Sequence, residues 1–230
     1  MIFDVLTLFP EIINDYCDVS IMKRAKDSGV FQLRVTNPRN FSKDKHHKVD
    51  DTPYGGGVGM VLAPQPYIDA YESISRLENS VTIMLSPQGQ PLNEQMVCEF
   101  SNYDQIILLC GHYEGFDERI REIIKPVEVS LGDFVLTGGE LPALCVIDAV
   151  SRKLEGTLGK IESADDDSFS SGLLEYPQYT KPRDFRGYMV PEVLLNGNHK
   201  EISEFRLKKQ LERTKLRRPD LYKKYIDSNG

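Results

Sequence analysis

The 230 residues, 40% hydrophobic and 27% charged, hold enough apolar side chains for one good core with a smaller appendage, and this balance fits neither a disordered nor a membrane-embedded chain. A formal net charge of −7 excludes a uniformly basic nucleic-acid coat but leaves local basic patches open. The four cysteines (Cys17, Cys98, Cys110, Cys145) form no Cys-x-x-Cys pair, and the histidines do not cluster with them, so a reduced cytoplasmic protein without a structural metal is expected.

In chain order, the apolar run Ile2–Leu8 has Asp4 inside it and no basic flank, which predicts a first buried strand and neither a leader nor a membrane span. Further strands are predicted at Gln32–Val35, Val81–Leu85, Ile106–Cys110 and Glu128–Leu131, the last extended by a β-like Phe134–Leu136. Val81–Leu85 and Ile106–Cys110 are continuous apolar runs, the pattern of strands covered on both faces. Helices are predicted at Glu11–Ser28, Pro64–Leu77, Asn93–Ser101, Asp117–Ile124, Leu141–Leu154 and Ile202–Arg217. Alternating strands and helices predict an α/β fold with a mostly parallel sheet, whose ligands collect beyond the carboxyl ends of the strands.

Three glycine-bearing loops leave strands at that edge: Ser86–Gly89, Gly111–Gly115, and Leu131–Asp133 continuing to Gly138-Gly139. Together they predict one pocket. Adjacent glycines before a helix allow close backbone approach, and the unpaired N–H groups of the helix that follows face the same place. No Walker pattern and no dinucleotide fingerprint is present; Tyr54–Gly59 carries glycines but follows no strand, and reads as a surface loop near a ligand.

At 159–174 the composition turns acidic and serine-rich, as in a flexible interdomain linker, with an aspartate available as a general base in a loop that orders over a substrate. Beyond it the chain mixes aromatics, prolines and basic groups (Tyr176–Arg183). A helix then carries Arg206, Lys209, Arg213 and Arg217 on one stripe, with Ile202, Phe205, Leu207 and Leu211 as its buried side. A local cationic stripe on an acidic protein suits phosphate contacts with RNA.

The strings Leu85–Glu94, Cys110–Ile120, Ser130–Ala143, Asp166–Pro182 and Val190–Ile202, in that order, closely resemble the bacterial tRNA (guanine37-N1)-methyltransferases, knotted enzymes of the SPOUT superfamily. The resemblance spans nearly the whole chain. It implies a deep trefoil knot near the end of a domain at 1–158, the linker at 159–174, and a small helical tRNA-binding domain at 175–230. It implies that S-adenosyl-L-methionine sits against Leu85, Ser86, Pro87, Gly111, Tyr113, Glu114 and Gly115, and against Leu131, Gly132, Phe134, Leu136, Gly138, Gly139 and Pro142. Many relatives carry Arg where this chain has His112, Tyr where it has Phe134, and Pro where it has Val58.

Guanine N1 carries a proton and becomes a nucleophile only when that proton leaves and charge spreads toward O6; a carboxylate and a guanidinium answer those two needs. The resemblance assigns them to Asp167 and Arg152. It further implies a homodimer whose pocket takes tRNA contacts from the partner's C-terminal domain, Mg2+ held by Glu114 with Asp167, and anticodon-region contacts from Arg24, Asp50 and Tyr54. Two other readings remain: a knotted methyltransferase acting on another RNA base, and a non-catalytic RNA-binding module.

Overall fold

The computed structural model describes residues 1–158 and 167–229, and the chain divides into two compact units, Met1–Gly159 and Lys160–Gly230. In the first, β1 (Ile2–Leu6), β2 (Gln32–Thr36), β5 (Ser80–Pro91), β6 (Gln105–Cys110) and β7 (Val127–Ser130) form one sheet in the order β2-β1-β6-β5-β7, every pairing parallel. All five predicted strands are present. Two short strands, β3 (Asp50–Asp51) and β4 (Val61–Leu62), pair antiparallel beside it.

Period-two alternation sends the side chains of β6 to two cores. Ile106, Leu108 and Cys110 join one with Phe3, Ile83 and Ile147; Ile107 and Leu109 join the other with Leu62, Tyr67 and Phe116. Every residue of β6 is buried, and each large aliphatic side chain there contributes about 1.5–3 kcal/mol. Asp4 is also buried, and its position in an apolar strand is satisfied from two sides: Gln105 Nε2 donates to it at 2.7 Å and Arg34 Nε lies 3.7 Å away.

Helices α1 (Pro10–Cys17), α2 (Ser20–Asp27), α3 (Pro64–Glu72), α4 (Glu94–Phe100), α5 (Glu118–Ile124) and α6 (Glu140–Ser151) complete the unit. The single helix expected at Glu11–Ser28 is two, because Ser20 turns to a positive φ of 50° and ends the continuous backbone ladder. The helix from Pro64 stops at Glu72, short of Leu77. Phe134–Leu136 is no strand: these exposed residues follow an irregular path from a bend at Phe134 and pair with no strand.

The second unit holds a hairpin of β8 (Asp184–Phe185) and β9 (Tyr188–Met189) and two helices, α7 (His199–Arg217) and α8 (Pro219–Asn229); the last was not anticipated. Of the expected linker, 159–166 lies outside the described residues. From 167 to 174 the chain makes turns rather than an open strand: Phe169 N–H donates to Leu173 O at 2.7 Å, Leu173 is buried, and Leu174 N–H donates to Thr214 Oγ1 of α7 at 2.9 Å. The basic stripe of α7 is also partly internal. The Arg206 guanidinium lies 4.5 Å over the Tyr176 ring and Arg213 Nη1 donates to Glu175 O at 3.1 Å, while Lys208, Lys215 and Arg217 stay exposed. Leu207, expected on the buried side, is exposed.

Candidate functional site

Strands β6, β5 and β7 are neighbours, so the three glycine-bearing loops leave the sheet side by side. Their backbones touch. Gly139 N–H donates to Gly111 O at 2.8 Å, His112 and Gly138 form an antiparallel bridge, and a Cβ on Gly139 would lie 2.7 Å from Cys110 Cα and 2.8 Å from Gly111 N. A Cβ on Gly89 would collide with the Glu128 and Val129 backbone. Glycine is required at both positions because backbone occupies the space of a side chain.

Between the loops lies a cavity of about 290 Å³. Leu85, Ser86 and Pro87 line it from β5; Gly111, Tyr113, Glu114 and Gly115 line it from the loop after β6. Leu131, Phe134, Leu136, Gly138 and Gly139 come from the loop after β7, and Pro142 from the first turn of α6. Of the expected set only Gly132 stands off the wall; a Cβ there would press on the Phe134 ring at 3.0 Å, so its bareness lets that ring fold back. Phe116 and Arg121 also line the cavity and were not anticipated. Phe116 stacks edge-on with Tyr67 at 5.1 Å, and Arg121 is held by Glu118 at 2.9 Å and Glu128 at 3.2 Å. The Arg121–Glu128 pair joins α5 to β7, a tertiary contact with no sequence signature.

Behind the glycine wall the side chains are buried. Thr7 Oγ1 donates to Glu140 Oε1 at 2.6 Å, and both residues are buried. Burial, with the Glu140 carboxylate beside it, pushes the Cys110 thiol well above its usual range; burial does the same to the Tyr67 hydroxyl, which donates to Cys110 O at 3.2 Å. Both stay protonated at neutral pH, so this cavity offers no thiolate nucleophile. The His112 ring lies between those of Phe9 (4.9 Å) and Tyr113 (4.8 Å), and its buried Nδ1 has no hydrogen-bond partner among the described residues.

The Tyr54–Gly59 loop is tied to this wall. Glu114 N–H donates to Met60 O at 3.0 Å, Leu62 N–H donates to Gly115 O at 2.9 Å, and a Cβ on Gly59 would collide with the Glu114 carboxyl. Tyr54 and Val58 project into solvent. Arg24 stands on α2, whose Met22 and Ala25 enter one core, whereas Asp50 follows Val49 of the other, so these two positions belong to opposite faces of the sheet. Arg152 caps the carboxyl end of α6, exposed, with its N–H on Asp148 O at 3.1 Å; it does not line the cavity. Asp167 opens the described part of the second unit and its carbonyl accepts Ser170 N–H at 3.3 Å. Among the described residues no group of three or more His, Cys, Asp or Glu side chains is arranged to hold a metal ion, and no helix is long and apolar enough to cross a membrane.

A parallel α/β sheet with a glycine-walled cleft at its carboxyl edge is a ligand-binding domain of the kind found in many enzymes. The family model for tRNA (Guanine-1)-methyltransferase TrmD matches residues 1–224, and the chain belongs to that family. Proteins named tRNA (guanine-N(1)-)-methyltransferase are similar throughout. One from Clostridioides difficile (strain 630) is 54% identical over 97% of this chain and 98% of its own length. One from Gloeothece citriformis (strain PCC 7424) is 49% identical over the full length of both, and one from Synechococcus sp. (strain JA-2-3B'a(2-13)) is 54% identical over 97% of this chain and 89% of its own.

Proposed function

We propose that this chain methylates tRNA, transferring a methyl group from S-adenosyl-L-methionine to N1 of guanosine 37, beside the anticodon. The observation that carries the reading is the cleft: all but one of the positions assigned to the cofactor by resemblance line a single cavity. The residues fit that ligand. Glycines at 111, 138 and 139 let a ligand approach the backbone closely, while Leu85, Leu131 and Leu136 offer apolar surface to a flat ring. When bound, the cofactor supplies an electrophilic methyl on a sulfonium.

The chain's own groups do the rest. The Asp167 carboxylate accepts the proton of guanine N1, and the Arg152 guanidinium steadies the charge that develops at O6. Exposed Lys208, Lys215 and Arg217 of α7 take phosphates and set the register of the RNA without reading its sequence. The same reading includes a cytoplasmic SPOUT domain at 1–158 closed by a trefoil knot, and a tRNA-binding domain at 175–230 reached by the chain after 159. It also includes Mg2+ held by Glu114 with Asp167. It includes a homodimer, supported by exposed Ile12 on α1, Val19 just beyond it and Leu141 on α6.

The test is transfer of labelled methyl to a tRNA transcript with G at positions 36 and 37, run with Asp167→Ala alongside. Label at N1 of G37, reduced at least a hundredfold in the variant, is expected. Label on a different base would move the assignment to another RNA target; no label from a folded chain would leave an RNA-binding module.

A further inference from the structure

We infer that Glu140 is a specificity-determining residue that makes the cleft prefer a cationic ligand over its neutral counterpart, and so favours the sulfonium cofactor over the thioether left after methyl transfer. The inference rests on the cofactor reading above.

Glu140 is only 4% exposed. Among the described residues no cationic side chain pairs with its carboxylate; its one hydrogen-bond donor is the neutral Thr7 hydroxyl at 2.6 Å. It stands in the first turn of α6, where the helix's aligned N–H groups favour a negative charge. Its outer oxygen lies directly against Gly138, since a Cβ on that glycine would collide with Glu140 Oε2, and Gly138 lines the cleft. Tyr67 and Cys110, the groups within reach of its charge, are both fully buried. The groups that feel this field are neutral: burial and the Glu140 charge together raise the Cys110 thiol and the Tyr67 hydroxyl. His112 Nδ1 lies 2.8 Å from the same added Cβ and has no hydrogen-bond partner among the described residues. Just behind the cleft wall, Glu140 therefore places a negative charge that no cationic side chain among the described residues pairs, in addition to Glu114 and Arg121 on the wall itself.

A charge so placed acts through a thin wall of glycine backbone in a low dielectric. It attracts a sulfonium and is indifferent to a thioether, and the expected discrimination is about fivefold or more in affinity. A carboxylate kept only to anchor Thr7 would treat the two ligands alike.

Titration calorimetry at pH 8, where an ordinary imidazole is neutral, tests this on the full chain with S-adenosylmethionine, S-adenosylhomocysteine and adenosine, in the parent and in Glu140→Gln. Glutamine keeps the shape and an acceptor for Thr7. The variant should bind S-adenosylmethionine about fivefold more weakly and the two neutral ligands as the parent does. Equal weakening of all three ligands, or no change in any, would overturn the inference. Should the variant not fold, the parent decides: a thioether bound as tightly as the sulfonium, or more tightly, overturns it. Failure of the parent to bind any of the three would instead remove the cofactor reading itself.

Discussion

Gly139 has no room for a side chain: its missing Cβ would sit 2.7 Å from one backbone atom and 2.8 Å from another, and neither is a flexible side-chain end that can swing away. Gly139→Ala is expected to lose roughly 2–4 kcal/mol of stability and most of its affinity for the cofactor. Urea unfolding and calorimetry on the same preparation would show it, and an alanine variant of parental stability would mean that the two loops can part without cost. Gln105 is the second residue of this kind. It is fully buried, its Nε2 donates to Asp4 and its Oε1 accepts Leu77 N–H at 2.7 Å. Gln105→Leu leaves a buried carboxylate and a backbone N–H short of partners and should cost about 2–4 kcal/mol in urea. The expected strand began at Ile106, and neither Gln105 nor its two partners, from β1 and from the loop before β5, was anticipated.

At the scale of the element, caps and helix pairs set the margins. Asn198 accepts from Lys200 N–H at 3.2 Å and Glu201 N–H at 3.4 Å, opening α7 three residues before the apolar pattern begins. Asn198→Ala should destabilise the second unit by about 1 kcal/mol, read as a lower thermal midpoint. The pairing of α1 with α6 makes a pH prediction. The hydrogen bond to Asp148 at 2.6 Å, with burial, pushes the Tyr16 phenol up to about 12, and burial pushes the neighbouring Cys17 thiol up to about 11. Each group ionises more easily in the unfolded chain, so its stabilising contribution is complete below the unfolded pKa and disappears as pH climbs through the folded one. The urea midpoint is therefore expected to fall from about pH 9 upward. Cys17→Ala should be less stable at pH 8 but should fall less between pH 9 and 11; parallel profiles would refute the assignment.

The whole molecule is a sheet with two cores and a separate helical unit, and its assembly has its own test. Ile12, Val19 and Leu141 are exposed apolar side chains on or beside α1 and α6, available to a second copy. Arg24 and Asp50, expected to meet one anticodon region, lie on opposite faces of the sheet in a single chain. Both observations favour a second copy. Sedimentation at micromolar concentration should give twice the chain mass, and Leu141→Glu should shift it toward the monomer; a monomeric parent would remove the dimer from the proposed function.

Local chemistry determined a great deal from the sequence. Continuous apolar runs marked β5 and β6, cap residues Asn93 and Asp117 marked the starts of α4 and α5, and the glycine-bearing loops were expected at one edge of a parallel sheet. These depend on neighbours within a few positions, where periodicity and backbone preference act directly. Only the tertiary structure decided which cations of α7 are spent on Tyr176 and Glu175 and which face solvent, and that Gly59 rests on Glu114. It also decided that Glu140, 133 positions from Thr7 along the chain, ends as a buried carboxylate with a hydroxyl for its partner. Such pairings are set when distant segments close on one another, and a buried charge acquires its meaning from whatever that closure brings within reach.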